Sequence, residues 1–119
     1  MQERQDLRGR TKRYAVDIIR LYTSLPKREE ARVIGRQMLR SGTSVGANYR
    51  EAYRARSDAE FVSKVGICLQ ELDETGYWLE LLEDAGIIPA QTLLRLKDET
   101  NQLIAIFTSI QKKVRSRAK

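Results

Sequence analysis

Apolar side chains recur every three or four positions along almost the whole chain, the spacing that lays one stripe down one side of an α-helix. The first stripe is Leu7, Tyr14, Ile18, Leu21 and Leu25, and it stops at Pro26, whose ring cannot continue a helix. Either Asp6 or Thr11 can serve as its N-cap. A second stripe, Ala31, Ile34, Met38, Ser41, Val45, Asn48, Ala52 and Ala55, alternates steps of three and four. It predicts a helix of about 27 residues, about 40 Å long at 1.5 Å per residue.

Ser57 and Glu60 stand in the spacing of a capping box, in which hydroxyl and carboxylate each satisfy a backbone amide at a helix start. The helix they open carries Phe61, Val65, Cys68, Leu72, Thr75, Leu79 and Leu82 on its stripe. Gly86 is the expected stop, because glycine tolerates the left-handed conformation, and Pro89 suits the first turn of the next helix. Leu93, Leu96, Thr100, Leu103, Phe107, Ile110 and Val114 form the last stripe. Short connections make sequential helices run antiparallel, so the pattern predicts an all-α, up-down-up-down four-helix bundle spanning 1–119 as one domain. The basic end, 112–119, is expected to fray.

With 119 residues, 41% of them hydrophobic, the chain can bury a single core without disulfides or metal. No apolar run approaches the length of a membrane span, and the N-terminus lacks the apolar core of a secretory signal, so a cytoplasmic location is expected. There is no histidine and one cysteine, Cys68, which excludes an internal disulfide and removes the commonest general base and metal ligand. Glu51, Glu71 and Glu74 evoke the carboxylates of di-iron bundles, yet those sites also need histidine. No metal, cofactor or catalytic residue is therefore expected. Cys68 lies on an apolar stripe and reads as a small buried thiol.

Charge is uneven. Residues 1–56 hold 14 Lys and Arg against 6 Asp and Glu, and the remainder holds 8 against 10, a split of +8 and −2 within a net +6. Arg32, Arg36, Arg40, Arg50 and Arg54, with Tyr53, share the helix-two face opposite the apolar stripe. Arginine presents a planar fork of donors to phosphate and tyrosine can stack on a base, so this ridge fits RNA or DNA. It equally fits a solvated face with intersubunit ion pairs. Lys112, Lys113, Arg115 and Arg117 form a second basic cluster, suited to clamping phosphates or to solubilising the tail.

Helix three has a second stripe, Ile67, Glu71, Glu74, Trp78 and Leu81, displaced from its core-facing one, which points to self-association. On helix two, Ser41, Gly42, Gly46 and Asn48 put small or polar groups where large apolar ones would otherwise pack. Each glycine costs about 1 kcal/mol relative to alanine in a helix, so a close contact or a bend is expected to offset it. Asn48, on the predicted seam, is expected to be paired and to fix register. Arg40 or Arg50 is the expected partner of the carboxylates of Glu51, Glu71 and Glu74.

The run Leu39-Arg40-Ser41-Gly42-Thr43-Ser44-Val45-Gly46-Ala47-Asn48-Tyr49-Arg50-Glu51-Ala52, then Ser57-Asp58-Ala59-Glu60-Phe61 and Glu71-Leu72-Asp73-Glu74-Thr75-Gly76-Tyr77-Trp78-Leu79, resembles a bacterial family. Its members are four-helix-bundle proteins first noticed as reading frames within intervening sequences of large-subunit ribosomal RNA genes. Many members carry proline where this chain has Gly46 and glycine where it has Ala52. The resemblance implies a ring-shaped homopentamer. It also implies kinship with the accessory proteins of diversity-generating retroelements, whose basic pentamers bind nucleic acid and a reverse transcriptase. The function expected on these grounds is a non-enzymatic, nucleic-acid-binding scaffold. The alternative is a protein-interaction adaptor with no direct nucleic-acid role.

Overall fold

A computed structural model describes residues 2–118, with side chains over 7–117. Four helices follow one another: α1 Gln2–Ser24, α2 Glu29–Tyr53, α3 Asp58–Asp84 and α4 Ala90–Ala118. No strand interrupts them among the described residues, and they pack as a bundle 49 × 21 × 20 Å. The long axis matches the roughly 44 Å rise expected of the 29-residue α4. α1–α2, α2–α3 and α3–α4 pack closely, whereas α1 meets α4 along a much shorter stretch.

The stripes of α3 and α4 bury every residue the spacing assigns to them, and Leu7, Tyr14, Ile18 and Leu21 do the same for α1. The α3–α4 junction closes as a Schellman turn. Gly86 takes φ 70°, its N–H donates to the Glu83 carbonyl at 3.0 Å, and the Ile87 N–H donates to the Leu82 carbonyl at 2.9 Å. Ile87 and Ile88 then join the core, and Pro89 sits just ahead of α4. At the start of α3, Ser57 Oγ accepts from the Glu60 N–H at 3.1 Å, the hydroxyl half of the expected capping box.

Three expectations need correction. α1 starts at Gln2, ahead of Asp6 and Thr11, so neither caps it; Thr11 is buried and donates to the Leu7 carbonyl at 2.7 Å. α2 spans 25 residues, ending at Tyr53, so Ala55 lies beyond it. Its buried face passes through Gly35, Gly42 and Tyr49, leaving Ile34 and Asn48 half-buried. A straight helix advances 3.6 residues per turn, so after five turns the meridian of Ala31 falls on Tyr49. α4 itself is helical to Ala118, with Ile110 and Val114 buried against the bundle and Arg117 reaching Asp58 on α3.

Buried hydroxyls tie the four helices together. Tyr14 on α1 lies 2.6 Å from the Thr100 hydroxyl on α4, and Ser41 on α2 lies 2.7 Å from the Thr75 hydroxyl on α3. Thr75 and Thr100 each donate to a carbonyl one turn back, at Glu71 and Leu96, both at 2.7 Å. Their oxygens are thus left as acceptors, and Ser41 and Tyr14 are the donors across the interfaces. Burial pushes the Tyr14 phenol up to about 12, against the opposing effect of its hydrogen bonds to Thr100 and Thr75.

The glycines of α2 let α1 come close. A Cβ added at Gly42 would lie 2.8 Å from Ile18 Cγ1, one at Gly46 would lie 3.2 Å from Thr11 Oγ1, and one at Gly35 would lie 2.6 Å from Leu25 Cδ1. The expected close contact is therefore with α1. Gly35 belongs to the same set, seven residues before Gly42 on the same face.

Candidate nucleic-acid interface

The outward face of α2 is built by exclusion. Once Ala31, Met38, Val45 and Tyr49 are committed to the core, residues half a turn away must face solvent. Arg32, Arg36, Arg50 and Arg54 are exposed there, and none pairs with a described carboxylate. Arg40 is different. It turns toward α3, where its guanidinium bonds Glu74 and lies 3.4 Å from Glu71 Oε2, and the hydrogen bond to Glu74 raises its pKa further. Its charge is balanced locally. Glu51 pairs with Lys64 of α3 at 2.7 Å, so Arg50 is left without it.

Tyr53 is half-buried at the end of α2. Its ring packs 6.3 Å from Tyr49 and lies under the Arg8 guanidinium of α1 at 4.7 Å. One ring face is thus occupied by a cation. Asn48 Nδ2 donates to the Ser44 carbonyl of its own helix at 2.9 Å, which satisfies the amide without crossing to another helix. The interhelical polar contact the seam was expected to hold is instead Ser41 with Thr75.

Lys112, Lys113, Arg115 and Arg117 are exposed along the last turns of α4, and Arg117 lies 3.3 Å from Asp58. On α3, Ile67, Glu71, Glu74, Trp78 and Leu81 are all half-buried in the single chain. Two atoms of that stripe, Glu71 Oε1 and Trp78 Nε1, are covered yet have no hydrogen-bond partner. Trp78 also packs edge-on against Tyr77, 5.1 Å between centroids, and Tyr77 is itself 54% exposed.

Two basic residues escaped the sequence reading. Arg8 and Lys12 of α1 line one cleft of about 250 Å³ with Arg50, over Thr11, Ala15, Gly46 and Ala47. Their sequence signal was faint, since pairing them with α2 depends on how the two helices cross. Cys68 is buried, and burial lifts its thiol to about 12, which suppresses the nucleophilic thiolate. Among the described residues no three His, Cys, Asp or Glu side chains are grouped to hold a metal ion, and no helix is long and apolar enough to cross a membrane.

The sequence matches the family model described as 23S rRNA-intervening sequence protein over residues 3–109. Among solved structures, it is 36% identical to a protein of unknown function from the S23 ribosomal protein family of Bacteroides thetaiotaomicron VPI-5482. The two superpose with a TM-score of 0.86 over 92% of this chain and 98% of that one. No curated protein matches the chain significantly.

Proposed function

Because this chain belongs to the 23S rRNA-intervening sequence protein family, we propose that it is a non-enzymatic, self-assembling scaffold that binds RNA or DNA through the outward face of α2. One observation carries the reading. Arg32, Arg36, Arg50 and Arg54 share an exposed helix face and have no described counter-ion, whereas Arg40 is neutralised by Glu71 and Glu74. A face of unbalanced guanidinium groups attracts polyanions, and each phosphate it engages releases condensed counterions.

The helices take the antiparallel, up-down-up-down course. Rising numbers on α1 meet falling numbers on α2, as Thr11, Ile18 and Leu25 face Gly46, Gly42 and Gly35. α3 and α4 repeat this, with Glu83 beside Lys97, Val62 beside Gln111 and Asp58 beside Arg117. Copies of this bundle assemble as a ring-shaped homopentamer through the second stripe of α3, and the 54% exposed Tyr77, packed edge-on against Trp78, supports a neighbour there. A basic ring of this kind suits an accessory to a reverse transcriptase in a diversity-generating retroelement.

The test is binding to structured RNA, single-stranded DNA and an RNA–DNA hybrid across a salt series, with particle mass recorded in parallel. Affinity should fall steeply with salt, and Arg32→Glu, Arg36→Glu and Arg54→Glu together should weaken it without loss of helicity. Salt-independent or absent binding by an intact oligomer would overturn the reading. A docking role for an acidic protein draws on exposed Ile19 and Val33, 44% and 49% accessible on α1 and α2, within the 1–56 stretch that holds 14 of the 22 Lys and Arg. Specific capture of one acidic protein after complete nuclease digestion would favour it.

A further inference from the structure

We infer that the cleft between α1 and α2, ringed by Arg8, Lys12 and Arg50, seats the phosphodiester backbone of a nucleic acid without reading its sequence. This rests on the nucleic-acid reading above and assigns that activity to one concave site.

The cleft exists because its floor lacks side chains. Gly46 brings α2 so close to α1 that an added Cβ would lie 3.2 Å from Thr11 Oγ1, and Ala15 and Ala47 extend no further than Cβ. Around this trough of about 250 Å³ stand three cations and no carboxylate. Three other depressions carry their own counter-ions, and the one beside Pro26 gathers two cations, Lys27 and Arg32, where this cleft gathers three. The one between α1 and α4 sets Arg10, Arg13 and Arg95 beside Asp17, Asp98 and Glu99, and the one at the α2–α3 turn includes Glu51 and Glu60. Like charges gathered around a concave, low-dielectric surface focus positive potential into it, and an anion is what relieves their repulsion.

Two details define the anion. Thr11 donates to the Leu7 carbonyl and Thr43 to the Leu39 carbonyl, each at 2.7 Å, so the hydroxyl protons lining the cleft are already committed to their own helices. Recognition is left to the cations, which favours a phosphate over a ligand needing a patterned set of donors. Arg8 is held over Tyr53 at 4.7 Å, which limits the rotamers it must surrender on binding. Arg50 also lines the adjoining depression, where Arg54 and Arg56 stand with Lys64 beside Glu51 and Glu60.

Ala47 is exposed on this floor, so Ala47→Glu places a carboxylate among the three cations without touching the core, and Ala47→Gln is the matched neutral control. Affinity of the full-length protein for a fluorescein-labelled 20-nucleotide single-stranded RNA, and for DNA of the same sequence, is measured by anisotropy across a salt series. Ala47→Glu should weaken both by about 10-fold or more and lower the salt slope by about 1 to 2, at about 0.7 per lost contact, while Ala47→Gln matches the parent. Equal binding by Ala47→Glu and the parent would overturn this assignment and leave the broader reading standing. No binding by the parent would overturn both. Displacement of the RNA by submillimolar inorganic pyrophosphate at constant ionic strength would also overturn it, by showing a small-anion pocket.

Discussion

The Ser41 hydroxyl of α2 donates to the Thr75 hydroxyl of α3 across 2.7 Å, with both residues fully buried. A buried hydroxyl deprived of its partner loses free energy that water cannot return. Thr75→Val should cost about 1 to 3 kcal/mol, since it leaves Ser41 only a 3.3 Å contact with the Met38 carbonyl. Ser41→Ala should cost about 1 kcal/mol, because Thr75 keeps its bond to the Glu71 carbonyl. The double variant should cost less than the sum, as read from urea unfolding at fixed protein concentration.

Glycine-to-alanine changes should have opposite signs at two sites. Gly42→Ala drives a Cβ to within 2.8 Å of the branched, buried Ile18 and should destabilise by about 1 to 3 kcal/mol, despite the gain in helix propensity. At Gly76 the nearest neighbour of an added Cβ is Thr100 Cγ2 at 3.8 Å, an ordinary contact. Gly76→Ala should therefore stabilise by up to about 1 kcal/mol. Thermal melts of the two variants beside the parent check both signs.

Stability should decline on the alkaline side. Burial raises Cys68 from 9.0 to about 12 and Tyr14 from 10.0 to about 12, so folding favours the protonated form of each. Their contribution is complete below the unfolded values and is lost as pH rises from about 9 toward 12, first through Cys68 and then through Tyr14. Urea midpoints from pH 7 to 11 should show this fall, with Cys68→Ala flattening its onset and Tyr14→Phe its later part. At pH 8 the native thiol should resist a thiol-specific chromogenic disulfide that labels the unfolded chain at once.

If the second stripe of α3 is the assembly surface, truncating it should separate subunits before it unfolds them. Trp78→Ala or Leu81→Ala should weaken each contact by about 2 kcal/mol, about 30-fold in dissociation constant, with helical circular dichroism retained. Mass photometry over a dilution series reads the shift. A parent protein that is monomeric at micromolar concentration would rule the surface out.

The helices and their inward faces were legible in the sequence where side chains are large and apolar. Such residues leave water whatever they pack against, so Phe61 through Leu82 and Leu93 through Val114 could be placed by spacing alone. Capping chemistry is equally local, which is why Ser57 and Gly86 act as expected. Small and polar positions were not legible, since their roles depend on what another helix brings to them. Asn48 turned back to Ser44 while Ser41 reached Thr75, and of the two arginines the sequence offered to the carboxylates Arg40 met Glu74 as expected while Arg50 was left facing solvent. The cleft between α1 and α2 belongs to the same class. A periodic pattern specifies the angle of a residue around its own axis, but the distance and crossing of two axes come from the packing of both surfaces, and only that brought Arg8 and Lys12 beside Arg50.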